Sequence, residues 1–358
     1  MMMKRFVIVQ NSIKTVLIFR SGYIKELLNY GLVIVIAPND DDESKKILQD
    51  MGVVIHDVSI HRVLSIFQMN KLIIKERLLG SVIISHFLVT FISCYISLIP
   101  FNSKLIVYTE GLGSIFSNNS ILRRLLRMFL VNNSAVRFFC NTSERKYLGL
   151  KTDFVTNGIG VDLSKFNKKK FDKFNSSFNL LYVGRLIRDK GIQDVIDAFR
   201  LLKEMRSDVR LNLVGDIYPN NPSSLKENDI DFLKKEFGDS INFVGFTHDV
   251  KYWYDHSDLL ILPSKREGFP VCIMEASAVG LPSIGYNVVG VQDAIKPGVN
   301  GELVKFGDII SIARISNEIL NRNSIMEYIN TASNYANDNF CCKEKNNKLV
   351  SKMLELSN

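Results

Sequence analysis

The stretch Glu267-Gly-Phe-Pro-Val-Cys-Ile-Met-Glu275 sets two carboxylates eight positions apart, with a Gly-Phe-Pro turn and the start of an apolar helical run between them. Upstream, Asp258-Leu-Leu-Ile-Leu-Pro263 reads as a short buried strand of a parallel sheet. Downstream, Gly280-Leu-Pro282 closes the helix with a Gly stop and a Pro soon after. The unit is strand, acidic loop, helix. Glu267 falls at the carboxyl end of a parallel strand, where open α/β sheets bind ligands. Glu275 falls inside the helix, whose N-terminus faces the same crevice and attracts phosphate. A carboxylate beside it accepts hydrogen bonds from sugar or ribose hydroxyls. That combination suits a nucleotide-sugar; a plain surface helix carrying two glutamates is the alternative.

A second segment, Asn179-Leu-Leu-Tyr-Val-Gly-Arg185-Leu-Ile-Arg-Asp-Lys190-Gly191, runs from an apolar strand into a Gly-Arg turn and a Lys-Gly pair that opens a helix over 192–203. Arg offers a planar fork matched to phosphate, and Lys adds a mobile point charge. A diphosphate site needs both near a strand-to-helix junction; a solvated basic loop is the bland alternative. Taken in this order, the two segments resemble the retaining glycosyltransferases of the GT-B fold, family 4. The family's paired-glutamate motif is matched by Glu267 and Glu275, and its phosphate-binding Arg and Lys by Arg185 and Lys190.

The resemblance extends along most of the chain. Val155-Thr-Asn-Gly-Ile-Gly-Val-Asp162 looks like the family's hinge, Leu211-Asn-Leu-Val-Gly215 like the next strand, and Ile241-Asn-Phe-Val-Gly-Phe246 like the loop whose backbone reads the base. Gly290 and the Gly298 to Gly301 stretch match the glycines before the last strand. In the more diverged first half, Val16 to Arg20, Ile24 to Leu27 and Val107-Tyr-Thr-Glu-Gly-Leu-Gly113 resemble bacterial enzymes that extend undecaprenyl-diphosphate-linked sugars. The implied fold is α/β, with two doubly wound Rossmann-like domains facing across a cleft. Residues 1–165 would bind the acceptor and 166–335 the nucleotide-sugar, with 336–358 a helix packing back toward the first domain. The implied nucleotide-sugar contacts are Gly184, Gly215, Phe246, Gly268, Phe269, Pro270, Val271 and Glu275. Catalytic roles fall to Arg185, Lys190, Glu267 and Glu110. Many family members carry a His in the loop where this chain has Glu110, so Glu110 is expected to take over sugar or acceptor contacts or to act as a base.

The formal net charge of +8 points to phosphate-bearing partners. No nucleic-acid motif is present: there is no zinc-finger spacing and no aromatic-rich RNA-binding signature. Basic residues concentrate around Lys168 to Lys173 and in Ile121-Leu-Arg-Arg-Leu-Leu-Arg-Met-Phe-Leu130. The latter predicts an amphipathic helix with a basic face, either a domain surface or a contact with an anionic membrane. Five cysteines without a Cys-x-x-Cys, and an N-terminus that opens on a strand, predict a cytoplasmic chain. The 19 residues from Val82 to Pro100 carry no Asp, Glu, Lys or Arg. They are expected to form a buried strand and a buried helix over 88–97 rather than a membrane span.

The first half alternates strands with helices, among them helical residues 24–30 and 71–79, and the second half repeats the alternation, which predicts two parallel sheets. Asp40-Asp-Asp-Glu43 is expected to be a turn and helix N-cap region rather than a metal site. The five histidines are scattered singly and read as structural. The expected activity is metal-independent and cofactor-free. A sugar (GalNAc, GlcNAc, Gal or Glc) would pass from a UDP-sugar to a lipid-diphosphate-linked saccharide in bacterial O-antigen or surface-polysaccharide assembly, at the inner face of the cell membrane. A UDP-sugar epimerase and a non-catalytic nucleotide-sugar-binding protein are the alternatives.

Overall fold

The computed structural model describes residues 3–98, 104–111, 120–131, 135–168 and 177–358. Gly113, residues 99 and 100 of the uncharged run, and residues 169–173 of the basic stretch lie outside them. The chain divides into two compact units, residues 1–159 together with 342–358, and residues 160–341.

The first unit runs β1 (Lys4–Val9), α1 (Ile13–Leu28), β2 (Gly31–Pro38), α2 (Asp42–Asp50), β3 (Val54–Val58), α3 (Arg62–Leu78) and β4 (Val82–His86). It continues through α4 (Leu88–Ser93), α5 (Tyr95–Leu98), β5 (Leu105–Thr109), α6 (Ser120–Val131), β6 (Val136–Phe139), α7 (Thr142–Leu148) and β7 (Phe154–Val155). Its seven strands pair in the order β3-β2-β1-β4-β5-β6-β7, all parallel. β4 and β5 are buried along their whole length, as strands covered by helices on both faces must be.

The second unit runs β8 (Phe178–Val183), α8 (Ile192–Met205), β9 (Val209–Val214), α9 (Glu227–Phe237), β10 (Ile241–Gly245), α10 (Val250–Asp255) and β11 (Leu259–Leu262). It closes with α11 (Val271–Val279), β12 (Ser283–Tyr286), α12 (Val291–Ala294), β13 (Gly301–Val304), α13 (Ile309–Ile319) and α14 (Arg322–Asn339). Its six strands pair in the order β10-β9-β8-β11-β12-β13, again all parallel. Helix α14 packs on α11 within this unit, whereas α15 (Cys342–Ser357) belongs to the first unit and packs on α1.

Both sheets are doubly wound, as the alternation of elements predicts. Several boundaries move. The helix expected over 24–30 begins at Ile13, because Ser12 caps it by accepting from the Thr15 N–H at 3.1 Å. The helix expected over 71–79 starts at Arg62. The run after β4 breaks at Cys94 into two short helices, and it is not wholly buried: Val89, Ile92 and Ile96 are exposed. The acidic run is cap chemistry. Asp41 accepts from the Ser44 N–H at 3.0 Å, and Asp40 accepts from the Ser12 hydroxyl at 2.6 Å. Among the described residues no group of His, Cys, Asp and Glu is arranged to hold a metal ion, and no helix is long and apolar enough to cross a membrane.

Candidate active site

In the second unit, the carboxyl ends of β8, β9, β10 and β11 deliver the singled-out residues to one edge of the sheet. Gly184 follows β8, and its N–H donates to the Val214 carbonyl at 2.9 Å. Gly215 follows β9 and donates to the Gly245 carbonyl at 2.9 Å. A Cβ on Gly215 would lie 2.0 Å from the Gly184 carbonyl oxygen, so no larger residue lets these two strand ends approach. Phe246 comes next after β10. Its N–H donates to Asp216 Oδ1 at 2.9 Å, while its ring is exposed and meets His248 edge-on.

Arg185 is exposed, with its guanidinium 5.3 Å from the centre of the Tyr218 ring and no carboxylate partner among the described residues. Its backbone is pinned by the Tyr182 hydroxyl, which donates to the Arg185 carbonyl at 2.7 Å. Lys190 lies just before α8 and donates to both oxygens of Glu267, at 2.6 and 2.7 Å. The buried Ser264 hydroxyl donates to Glu267 Oε1 at 2.8 Å. The Glu267 N–H donates to the Val289 carbonyl at 3.2 Å. Gly290, with φ of +84°, makes this approach possible, since a Cβ there would lie 2.2 Å from the Glu267 carbonyl oxygen.

Pro270 precedes α11 and supplies no side-chain cap, so Val271 opens a helix whose N-terminus keeps its partial positive charge. Phe269 is buried, edge-on to Phe340 with ring centres 5.8 Å apart, and fixes the Gly268 to Pro270 turn. Glu275, one turn in, accepts from the Tyr254 hydroxyl at 2.8 Å. Burial pushes its carboxyl up to about 7, although the Tyr254 hydrogen bond and nearby Lys165 favour the charged form.

The sequence motifs therefore converge: Arg185, Lys190, Glu267, Gly184, Gly215 and the start of α11 share one sheet edge. Ser264 and Tyr254 were missed. Tyr254 stands 21 positions from Glu275 and meets it only through packing of α10 on α11. No spacing in the chain announces that pair.

Glu110 lies in the first unit, at the end of β5. Its carboxylate pairs with the buried Arg20 guanidinium and stands 3.4 Å from His86 Nδ1. Arg20 also donates to Gln10 Oε1 at 3.1 Å, and the Tyr23 hydroxyl hydrogen-bonds His86 Nε2 at 2.8 Å. Burial alone would raise the Glu110 carboxyl, but the Arg20 charge and His86 outweigh it and hold it below the usual range. Burial, reinforced by Arg20, pushes His86 down to about 4, so its ring is neutral at pH 7. Glu110 is thus a tethered carboxylate within a buried network at the strand ends.

Residues 164–337 match the family Glycosyl transferases group 1. The match lies inside the second unit. The Staphylococcus aureus capsular polysaccharide biosynthesis glycosyltransferase CapM is 30% identical over 169 residues, which is 47% of this chain and 43% of CapM. The Campylobacter jejuni N,N'-diacetylbacillosaminyl-diphospho-undecaprenol alpha-1,3-N-acetylgalactosaminyltransferase is 28% identical over 227 residues, 57% of each chain. The matched regions thus span less than two thirds of either relative. Among solved structures, Anabaena HepE in complex with UDP superposes with a TM-score of 0.78 at 17% identity, over 99% of this chain and 100% of that one. At that identity the likeness speaks for the fold, which is GT-B.

Two predictions follow from the charges. The Glu275 carboxyl binds its proton more tightly in the folded chain than in the unfolded one, so its contribution to stability declines as pH rises from about 4.5 to about 7. Glu275→Gln should therefore gain stability relative to the parent at pH 8, by up to roughly 3 kcal/mol, and little at pH 5. Denaturant titrations at the two pH values check this; a difference that does not change with pH refutes it. Glu110→Gln should destabilise the first unit by about 3–5 kcal/mol, because Arg20 is left buried without a counter-charge. The double change Arg20→Met with Glu110→Leu should recover much of the loss. Unaltered unfolding of Glu110→Gln would refute the pairing.

Proposed function

We propose that the protein is a metal-independent retaining glycosyltransferase that moves a hexose or N-acetylhexosamine from a UDP-sugar to a lipid-diphosphate-linked saccharide in bacterial surface-polysaccharide assembly. The observation that carries this reading is the Lys190–Glu267 ion pair, at 2.6 Å, beside the open N-terminus of α11 and Arg185, which has no carboxylate partner among the described residues. The diphosphate would lie against Arg185, Lys190 and the Val271 N–H, beside the Gly184–Arg185 turn that the close approach of Gly215 holds in place. Negative charge grows on the departing UDP as the glycosidic bond breaks, and two fixed cations and a helix dipole meet it there. Lys190 would then sit between leaving group and Glu267, holding the sugar-binding carboxylate in register with the bond that breaks. Glu267 would accept hydrogen bonds from the donor sugar's hydroxyls and Glu275 from the ribose, with the Phe246 backbone against the base.

Retention follows from the family resemblance: the acceptor hydroxyl attacks from the face that UDP leaves, and a donor phosphate oxygen takes its proton. Glu110, held by Arg20, would orient hydroxyls of the transferred sugar or the acceptor rather than abstract a proton. The Campylobacter relative's name supports the lipid-diphosphate acceptor. The basic face of α6 supports a peripheral position at the inner surface of the cell membrane, where such acceptors are presented.

The deciding experiment incubates a panel of UDP-sugars with sugar-diphosphate-lipid acceptors, in excess EDTA, and analyses products by mass spectrometry. Transfer with retained anomeric configuration is expected. Epimerised donor without acceptor, or no turnover, would replace this reading with one of its rivals, and rescue of activity by added Mn²⁺ would end the metal-independent mechanism. Within that assay, Arg185→Ala or Lys190→Ala should lower kcat by roughly 10²–10³, the scale for losing one stabiliser of transition-state charge. Near-native turnover by both folded variants would remove these residues from the phosphate site.

A further inference from the structure

Helix α3 presents an apolar stripe to solvent. Ser65, Met69, Ile73 and Glu76 are its buried residues. At 100° per residue, the side directly opposite carries Val63, Phe67, Lys71, Ile74 and Leu78. Val63 is 84% exposed, Phe67 70% and Leu78 85%. A helix on the surface of a water-soluble domain puts polar side chains there.

The neighbouring helices do the same. Ile96 on α5 is 84% exposed, with Val89 and Ile92 of α4 beside it in sequence at i, i+3 spacing, and α6 exposes Leu125 and Met128. These helices form one layer. The Asn70 side-chain amide of α3 donates to the Ser93 carbonyl at 3.2 Å, and the Ser97 hydroxyl donates back to Asn70 Oδ1 at 2.6 Å. The Tyr95 ring meets Phe129 of α6 edge-on, with centres 5.2 Å apart. Their inward residues Met69, Ile73, Phe91, Leu98, Leu126 and Leu130 share a single core cluster. Their outward residues therefore share one surface. Between α4–α5 and α6 that surface opens into an apolar groove of about 360 Å³, walled by Ile92, Tyr95, Leu125 and Phe129.

Charge decides the occupant. From Ile60 to Leu98 and from Ser120 to Val131 the sequence holds one carboxylate, Glu76. It is buried and paired with Arg5 at 2.8 Å, so it does not reach this surface. Arg62, Lys71, Lys75, Arg124 and Arg127 are exposed there. A second copy of this chain docking by the same face would set these cations against their own kind. An anionic lipid surface accepts both the cations and the apolar side chains.

We propose that the layer α3, α4–α5 and α6 is a membrane-docking face, in which α3 is a second anchor that inserts Val63, Phe67, Ile74 and Leu78 among the lipid chains. This deepens the membrane part of the reading above and is independent of the sugar transfer. The basic residues bring the face to the headgroups. The apolar stripes then hold it by contacts that salt does not screen, unlike the attraction of charges alone.

The test uses the full chain and two vesicle types, phosphatidylglycerol-rich and pure phosphatidylcholine, at low and high salt. The sequence has a single tryptophan, Trp253 in the second unit, so Phe67→Trp in a Trp253→Phe background is a clean reporter. On phosphatidylglycerol-rich vesicles its emission should shift to the blue and be quenched by bromine-labelled acyl chains. The triple change Val63→Ser, Phe67→Ser, Ile74→Ser removes only exposed side chains. It should lower vesicle partitioning by about tenfold or more and abolish the fraction that survives high salt. UDP affinity by calorimetry should stay unchanged. Ile310→Ser, an exposed apolar site of the second unit, should leave partitioning untouched. An indole at position 67 that neither shifts nor quenches, or a triple variant that partitions like the parent, overturns the proposal. So does a parent that is a dimer dissociated by the triple change and does not bind vesicles, which would assign the face to a second copy. A parent that binds vesicles but not UDP would leave this inference standing and remove the donor-site reading instead.

Discussion

A parallel strand cannot return to its neighbour through a tight turn; it needs a crossover, and the crossover is nearly always right-handed. Every strand pair in both sheets is parallel, and the rest of the protein depends on it. Every strand in a unit ends at the same edge, and the helix that follows begins there. Loops separated widely in sequence are thereby stacked side by side. Lys190 and Glu267 are 77 positions apart, yet they are joined because β8 and β11 are hydrogen-bonded neighbours. The open N-terminus of α11 arrives at the same edge for the same reason.

Several buried charges also lie near the carboxyl ends of the strands. In the first unit, Arg20, Glu110, His86 and Tyr23 form a network that stabilises the fold only while every charge keeps its partner. Glu144 is a further case: burial pushes its carboxyl up to about 8, while it accepts the Gly111 N–H at 2.8 Å directly after Glu110. In the second unit, Glu275 is kept in surroundings that oppose its charge. Cores built for stability alone place apolar groups at such positions, so the concentration of strained acids at both sheet edges accords with sites built for polar ligands. The helical layer over the other face of the first sheet has the opposite character. It exposes apolar side chains where solvent-facing helices carry polar ones, and its one acid is turned inward.

The sheets were legible because parallel strands, buried on both faces, leave continuous apolar runs such as Leu180 to Val183 and Leu259 to Leu262. The glycines at strand ends were legible because backbone close approach excludes a Cβ. Helix limits were less so. Ser12 begins α1 well before the amphipathic pattern becomes plain, since the helix carries apolar residues on several sides. The break at Cys94 leaves no Gly or Pro to announce it. Exposure was the feature least visible: Val89, Ile92 and Ile96 belong to an uncharged run that reads as buried, and only the packing shows which side meets the sheet.

The sequence by itself determined the two alternating α/β halves, and it singled out Arg185, Lys190, Glu267 and Glu275 as candidates, because charged residues beside Gly and Pro stand out from the apolar runs that flank them. Tertiary structure alone decided their partners and charge states. Tyr254 reaches Glu275 across 21 positions and Lys190 reaches Glu267 across 77, by packing that no sequence interval encodes. Arg20 comes to Glu110 across 90 positions, and the dielectric around each group is set by what folds over it. Local sequence fixes what a residue offers, but desolvation and pairing are properties of the folded neighbourhood, and these decide whether a carboxylate is a free base, a tethered anchor or an acid held near neutrality.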